Sequence, residues 1–485
     1  MSNARRFAKN SLALTTAGVS VALLGAVYRV YIARCLGEVE FGKYVFIITC
    51  VSYGTILSLL GLRNVIVREV ARAPGRYKAF LRGALKLRLI TTTSGFAILC
   101  LVILFLNKSG DVKVGMVIYA LSLFPLAMVD IMESMFIAAE SAIYVTITNV
   151  SGNLLKIVIG IYLLTHGFGL LAILWLFLAV SVLNSCVDWL FFRKLFRKVT
   201  PVEEPKIEGF GRYMFLQSLP FFYILLASKV YYKNDVMVLS LMKGDRVVGG
   251  YGAAYMPVDF LLLTAASIVM AAYPVMSRFF SDRPERLGEL QGILSRYLLM
   301  IFLPVAVLLT IVGPELVGWV FGKEYTGSAS ALRILAWIPP AEAVTVAMGM
   351  MLGASYKQGL SAKVACFGAG MCLCLNLLLI PRYGYMGAAV GTTTAVYLNM
   401  CVAIYAVNRV VAKLPIFDFL VRPVASAGFM LLVAFLVSML AGKWIAVSTA
   451  VPAYVLALVL TGSFTREDLR FIRTSVMKRT EEAPS

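Results

Sequence analysis

Four basic side chains lie inside strongly apolar stretches of the sequence: Arg29, Lys156, Lys229 and Lys233. A charged group within a membrane-spanning segment is energetically costly unless it is paired or hydrated, so each of these is a candidate for function. Lys229 and Lys233 are four residues apart, which places them on one face of a helix. Together the four cations predict a hydrated cavity that attracts an anionic head group such as a pyrophosphate.

Three carboxylates accompany these cations and are candidates for coupling to H⁺ or Na⁺. Asp130 and Glu133 are three residues apart and therefore share a helix face, and Asp235 follows closely behind the lysine pair. In the competing interpretation these groups form structural ion pairs between helices, with Lys156 at a depth where it can pair with Asp130 or Glu133. Asp188, near the end of its apolar segment, is expected to extend toward the membrane interface.

The sequence excludes most metal, cofactor and nucleotide chemistry. It contains 1 histidine, His166, whereas histidine-based metal sites need several. Its 8 cysteines include no Cys-x-x-Cys pair and are expected to pack as small apolar residues. It also has no GxxxxGK[ST] motif, so the chain has no P-loop of its own. We therefore expect no metal, no cofactor and no ATPase activity.

The composition is that of a polytopic membrane protein. Of the 485 residues, 60% are apolar and 14% are charged, and the mean hydropathy is +0.86. The net charge is +20, but the cations flank apolar segments instead of forming a basic stripe interleaved with aromatics, which argues against nucleic-acid binding. Apolar segments of about 20 residues recur along the chain and predict an all-α fold with about 14 transmembrane helices.

The distribution of Lys and Arg predicts the orientation in the membrane. When the N-terminus is assigned to the cytoplasm, the inner segments carry about threefold more Lys and Arg than the outer segments. Both termini are therefore expected on the cytoplasmic side of the cell (cytoplasmic) membrane. The outer loops are short, which leaves no room for a sizeable extracytoplasmic catalytic face.

An internal repeat divides the sequence into two halves. Residues 37–44 align with residues 244–251 at an offset of 207, and further weak matches follow in the same order. Six spans in each half make the repeats parallel, about an axis along the membrane normal, with the substrate path between them. The predicted units are an N-terminal six-helix lobe, a cytoplasmic linker, a C-terminal six-helix lobe, two additional transmembrane helices and a cytoplasmic tail, at 1–198, 199–212, 213–410, 411–464 and 465–485.

Several sequence motifs occur in a characteristic order. They are YIARCLGEVEFGKY at residues 31–44, GLRNVIVREVAR at 61–72, NDVMVL followed by VGGYGAAY within 234–255, PVMSR at 274–278 and IPRYGYMGAA at 380–389. In this order they resemble the motifs of the polysaccharide (oligosaccharide) flippases, which belong to the multidrug/oligosaccharidyl-lipid/polysaccharide exporter superfamily. The resemblance covers roughly residues 5–410.

This resemblance implies two six-helix lobes forming a V, followed by two further helices. It implies a transporter and not an enzyme. The implied activity is to flip a polyprenyl-(pyro)phosphate-linked oligosaccharide from the inner to the outer leaflet by alternating access. The implied role is in cell-surface polysaccharide or glycan biosynthesis. The expected partners are membrane lipids and that glycolipid, with glycan-assembly enzymes as further candidates, and the sequence indicates no oligomeric state. The resemblance also implies that Asp235 occupies a position with a fixed place in the family's fold.

Two other functions stay open on the sequence alone. A cation or drug antiporter of the same superfamily would need an acidic substrate lobe, whereas Arg29 stands in the first span where a carboxylate would serve. A membrane glycosyltransferase or polymerase is disfavoured by the short outer loops.

Overall fold

The computed structural model describes residues 3–463 apart from positions 74, 76, 198–209 and 283, and this part of the chain is helical without a β-strand. The chain forms two compact units, Met1–Ala253 and Ala254–Ser485. The predicted linker at 199–212 falls largely on residues outside the described part, and the predicted tail at 465–485 lies wholly outside it. The predicted boundaries of the two lobes and of the additional helices stay predictions.

The first unit contains eight helices and the beginning of a ninth. They are α1 (Asn3–Leu59), α2 (Leu62–Arg72), α3 (Tyr77–Phe105), α4 (Gly110–Leu121), α5 (Leu123–Ala138), α6 (Ile143–Thr165), α7 (Leu170–Phe196), α8 (Phe210–Lys243) and α9 (Asp245–Asp282). Most are long apolar runs, as expected where hydrocarbon forces every backbone polar group to find its partner within a helix.

α2 is a short amphipathic helix between two spans. Its apolar residues at positions 62, 65, 66 and 70 are buried, at the spacing of one helix face. This face joins an apolar core that includes Phe80, Phe136 and Phe192. Gly61 precedes α2 at φ +70°, and a Cβ at this position would lie 2.5 Å from the Cβ of Phe221 in α8. The turn into α2 therefore requires glycine for both conformation and space.

The second unit continues α9 and adds six α-helices. They are α10 (Leu287–Phe321), α11 (Ala329–Leu335), α12 (Ile338–Ala354), α13 (Gln358–Val410), α14 (Arg422–Ala441) and α15 (Lys443–Leu460). Its core packs small residues against larger ones, as at Ala265, Val269, Phe302 and Ala343. α14 and α15 pack against each other, and Tyr454 of α15 donates a hydrogen bond to a backbone carbonyl of α10 over 3.1 Å.

Two of the longest helices contain a glycine break. Gly37 in α1 (φ 74°) and Gly384 in α13 (φ 57°) leave the helical conformation at angles that favour glycine. Within the described ranges, 11 helices are long and apolar enough to cross a membrane, or 12 if Lys323–Leu335 and Ile338–Ala354, bent by 45°, form one span. The glycine breaks divide α1 and α13 into two helical segments each. The predicted all-α polytopic architecture is confirmed.

Candidate functional site

A cavity of about 230 Å³, lined by apolar and polar side chains, lies within the first unit, among α1, α4, α5, α6 and α7. Two of the predicted cations, Arg29 and Lys156, line it, and no carboxylate is among the lining residues. The lining residues are Gly25, Tyr28, Arg29, Tyr44, Tyr119, Ser122, Leu126, Asn153, Lys156, Ile157, Phe177 and Ser181. The structure thus brings together one cation from the first span and one from the fifth, which are distant in the sequence.

Lys156 is a half-buried cation that no carboxylate pairs with in the described part of the chain. Its Nζ lies 5.8 Å from the centre of the Phe177 ring, within the range of a cation–π interaction. On α1, the Nε–H of Arg29 donates to the carbonyl of Gly25 over 3.4 Å. Because a desolvated cation is stabilised by a counter-charge, this arrangement is suited to receive an anion.

Aromatic rings form much of the remaining wall. Phe177 lies 6.3 Å from Tyr44 and 6.2 Å from Tyr119 between ring centres, at distances typical of packed aromatic pairs. Tyr28 is buried, and its hydroxyl has no hydrogen-bond partner among the described residues. A Cβ on Gly160 would lie 1.7 Å from this hydroxyl, so the glycine provides the space that the tyrosine occupies.

Three smaller polar side chains also line the cavity. Asn153 donates to the Asn149 carbonyl over 2.8 Å, and Ser181 donates to the Leu178 carbonyl over 2.7 Å. Ser122 likewise donates to a carbonyl of its own chain segment. Each side chain retains oxygen lone pairs after this donation, and these can accept hydrogen bonds from hydroxyl groups of a ligand.

The other two predicted cations lie elsewhere in the first unit. Lys229 and Lys233 are half-buried on α8, and neither is among the residues that line the cavity. Tyr53 of α1 donates a hydrogen bond of 3.5 Å to the backbone carbonyl of Lys229, which connects this part of α8 to α1. The four predicted cations therefore do not all share this cavity, and a substrate-binding role for the α8 pair stays a prediction.

The predicted coupling residues Asp130 and Glu133 belong to an ion cluster with two arginines. Arg63 contacts Asp130 at 3.5 Å and donates to Glu133 over 2.8 Å, while Arg88 pairs with the other oxygen of Asp130. Asn149 donates to Glu133 over 2.7 Å. The structural ion pairs envisaged for these carboxylates therefore exist, but with arginines as partners and not with a lysine of the fifth span.

The remaining two carboxylates of interest are both buried. Asp235 accepts hydrogen bonds from the Val236 N–H over 2.7 Å and from the Tyr251 hydroxyl over 2.6 Å. Asp188 is 0% exposed and accepts a hydrogen bond from the Thr148 hydroxyl over 2.7 Å. The expectation that Asp188 reaches the membrane interface is wrong, because its side chain points into the packing between α6 and α7.

Ion pairs connect three loops of the first unit at the side predicted to face outward. Lys108, after α3, donates to Asp245 over 2.6 Å at the start of α9. Arg246 contacts Glu38, next to the break in α1, at 3.1 Å. Lys43 pairs with Asp111 at the start of α4. These pairs join the break in α1 to the starts of α4 and α9.

Two glycines allow the backbones to touch at the same place. A Cβ on Gly42 would lie 1.8 Å from the carbonyl oxygen of Asp245, and a Cβ on Gly249 would lie 1.9 Å from that of Glu38. The contact is reciprocal, because residues 38 and 42 are the positions that the internal repeat aligns with 245 and 249. The aligned segments of the two repeats therefore meet directly.

Sequence reasoning missed the arginines of the ion cluster and the aromatic wall. A count of flanking cations assigns Arg88 to a basic inner segment, yet it is 2% exposed within α3. The sequence pattern could have indicated that Arg88 is buried, because Arg88 lies on the same helix face as the apolar residues Leu81 and Ala84. No comparable signal marks Tyr119 or Phe177, since aromatic residues are common in any apolar span.

Comparison with known proteins places this architecture in a family. The sequence matches the family described as polysaccharide biosynthesis protein over residues 7–280. It is 24% identical over 406 residues to a Haloferax volcanii protein named as a probable low-salt glycan biosynthesis flippase, Agl15, covering 81% of each chain.

Two solved structures share the fold. The lipid II flippase MurJ, in an inward closed conformation, matches with a TM-score of 0.72 and 16% identity, over 94% of this chain and 99% of that chain. An inward-facing multidrug resistance MATE family transporter of the MOP superfamily matches with a TM-score of 0.62 and 16% identity, over 80% and 94% of the two chains.

These similar proteins are flippases and transporters, which agrees with the expectation that the chain is not an enzyme. The match at 7–280 covers more than half of the chain and confirms the resemblance drawn from the motifs. The chain is therefore a multi-pass membrane protein that belongs to the polysaccharide biosynthesis protein family.

Proposed function

We propose that this protein flips a polyprenyl-(pyro)phosphate-linked oligosaccharide from the inner to the outer leaflet by alternating access, for cell-surface polysaccharide or glycan biosynthesis. The observation that carries the proposal is the cavity in which Arg29 and Lys156 meet without a lining carboxylate. The glycan flippase named among the similar proteins and the fold shared with a lipid II flippase support it.

The cavity chemistry matches the junction between lipid and sugar. A phosphate group accepts charge-assisted hydrogen bonds from Lys and Arg, which are roughly twice as strong as those between neutral groups. The oxygens of Asn153 and Ser181 can accept hydrogen bonds from sugar hydroxyls, and the aromatic wall offers flat apolar surface. A volume of about 230 Å³ lies below the range of about 300–1,000 Å³ typical of pockets for drug-sized ligands. The cavity therefore suits the phosphate-bearing end and not the whole glycolipid.

The energy for directional movement is proposed to come from an ion gradient or from the substrate gradient, since the sequence has no P-loop. Asp130, Glu133 and Asp235 are the candidates for coupling to H⁺ or Na⁺. The first two are held by arginines, so any protonation change there would break buried ion pairs and favour another conformation.

The proposed setting is the cytoplasmic membrane, with both termini in the cytoplasm. The excess of Lys and Arg on the inner segments supports this orientation. In it, the ion cluster of Arg63, Arg88, Asp130 and Glu133 lies toward the cytoplasmic ends of the spans, and the loop contacts at Gly42 and Gly249 lie on the outer side. Membrane lipids and the lipid-linked oligosaccharide are the proposed partners.

A transport assay tests the proposal directly. The purified protein is reconstituted into liposomes with a short-chain polyprenyl pyrophosphate that carries one fluorescent hexose, and a membrane-impermeant quencher reports which leaflet holds the probe. We expect exchange between leaflets to be faster than in protein-free liposomes and to slow in Arg29→Ala at unchanged membrane yield. Lys229→Ala, outside the cavity, shows whether the α8 pair also contributes.

The same liposomes discriminate the alternative function. A cation or drug antiporter shares the superfamily fold, as the similarity to the MATE transporter illustrates, but the charges that line this cavity repel cations. Uptake of a cationic dye that depends on Asp130 or Glu133, with no lipid exchange above protein-free liposomes, would replace the flippase proposal with the antiporter.

A further inference from the structure

Asp188 is a carboxyl group without a counter-charge. It is 0% exposed, and its Oδ2 has no hydrogen-bond partner among the described residues. Its Oδ1 accepts one hydrogen bond, from the neutral hydroxyl of Thr148. An ionised carboxylate in this position would have exchanged water for a single neutral donor, which leaves most of its desolvation cost uncompensated.

The neighbouring ion cluster does not supply the missing positive charge. Its two cations, Arg63 and Arg88, balance its two carboxylates, Asp130 and Glu133. Glu133, the member of this cluster that acts on Asp188 electrostatically, has the same sign and adds no compensation. The cluster is therefore neutral without Asp188 and would become negative if Asp188 were ionised.

The other elements packed on α7 do not supply a cation at this level either. Lys156, the charged residue of α6, lies eight residues beyond Thr148, or about 12 Å along the helix. α1 and α4 meet α7 near Phe177, far from Asp188. On α7 itself, Arg193 stacks on the Trp189 ring at 5.3 Å. The remaining cation of that turn, at position 194, is exposed.

A polar stripe on α7 connects Asp188 to the cavity. Ser181, Asn184 and Asp188 follow a spacing of three and four residues and thus share one helix face. Asn184 lies against Gly152 of α6, where an added Cβ would come within 2.5 Å of its side chain. Ser181 lines the cavity. The carboxyl group is thereby placed about 10 Å along one rigid helix from the predicted substrate site.

We propose that Asp188 is a proton-binding site of this protein, in addition to the coupling candidates named above: its carboxyl group holds a proton on Oδ2 in the described conformation, and loss of that proton couples a pH difference to lipid movement. The coupling rests on the proposed function, whereas the protonated carboxyl group does not. A metal ion is a poor alternative occupant. Hard cations take about six oxygen ligands, and no group of three or more acidic, His or Cys side chains in the described ranges can hold one.

Infrared spectroscopy tests the protonated group without any transport. A neutral carboxylic acid gives a C=O stretching band that a carboxylate lacks. We expect the wild-type protein at neutral pH to show such a band, and Asp188→Asn to lose it. Glu315→Gln, which changes a partly exposed carboxylate paired with Lys443, is the matched control and leaves the band intact. Absence of the band in the wild-type protein overturns the proposal, whether or not the protein moves lipid.

Two measurements keep the test independent of how well one variant folds. The first is a pH titration of the band in the wild-type protein, which needs no substitution and should show the band decreasing as the pH rises. The second is Asp188→Glu, which keeps a carboxyl group and should shift the band and not abolish it. A neutral-pH band that survives unchanged in folded Asp188→Asn shows that another carboxyl group carries it and overturns the assignment.

Transport under an imposed pH difference tests the coupling. With the fluorescent polyprenyl pyrophosphate probe, wild-type exchange should accelerate severalfold when the gradient is applied, and Asp188→Asn should show the same rate with and without it. A full gradient response in Asp188→Asn overturns the coupling. No lipid movement by wild-type protein that shows the band contradicts the proposed function and the coupling, but not the protonated carboxyl group.

Discussion

Replacing Lys156 with methionine should impair lipid movement without destabilising the protein. The change removes one charge and keeps an unbranched side chain against Phe177. A hydrogen bond to a charged group contributes about 1.5–3 kcal/mol, and each 1.4 kcal/mol corresponds to a factor of about ten in affinity. If Lys156 binds the phosphate, the probe concentration for half-maximal exchange should rise about 10- to 100-fold in Lys156→Met.

Thermal stability separates this role from a structural one. Removing one partner of a buried ion pair costs about 3–5 kcal/mol, but no carboxylate pairs with Lys156 among the described residues. Loss of the Phe177 contact costs about 0.5–2 kcal/mol, and removal of a poorly solvated charge offsets it. The melting temperature in detergent should therefore stay near that of the wild type or rise.

An exposed lysine provides the matched control. Lys323 lies outside the cavity in the second unit, and Lys323→Met should change neither melting nor exchange. If Lys156→Met melts well below the wild type, the conclusion that Lys156 forms no stabilising ion pair is wrong. Normal stability combined with unchanged probe affinity would refute its role in binding.

Three further substitutions test the packing around the candidate site. Gly42→Ala places a Cβ against backbone and should cost about 1–3 kcal/mol, seen as a lower melting temperature. Arg88→Met leaves Asp130 with less compensation in a buried site and should cost about 3–5 kcal/mol, whereas changing both to apolar residues should recover much of the loss in a chemical-denaturation series. Gly160→Ala should push Tyr28 toward the cavity and weaken probe binding, measured by exchange kinetics, at near-normal yield.

One glycine serves as the control for both alanine substitutions. Gly110 has nothing within 4 Å of an added Cβ, so Gly110→Ala should be close to neutral. Equal destabilisation by Gly42→Ala and Gly110→Ala would show that the close backbone contact at Gly42 does not limit the stability of the protein. Unaltered exchange in Gly160→Ala would show that Tyr28 does not shape the binding space.

The architecture was predictable because apolar length is enough to specify membrane helices. Runs of about 20 apolar residues locate the spans, and Gly37 and Gly384 leave the helical conformation between two successive spans within α1 and α13. The motifs were equally informative about the family, since they are extended strings in a fixed order. Lys156 and Arg29 were identifiable because a cation stands out in an apolar run.

The partners of each charge were not predictable, since several opposite charges share a similar depth. Asp130 could face Lys156 or an arginine on the basis of sequence, and only the packing of α3 against α5 selects Arg88. Asp188 was misplaced for a related reason. Proximity to a span end suggests solvent, but the local packing of α6 and α7 decides burial.

The reciprocal glycine contact has the form of an isologous interface. Glu38 opposes Gly249 and Gly42 opposes Asp245, so each repeat presents the same patch to the other, as the subunits of a two-fold symmetric dimer do. In an interface between identical subunits one substitution acts twice, once on each side. Within a single chain the two sides are independent positions and can carry different residues, as Lys43 and Gly250 do at aligned positions.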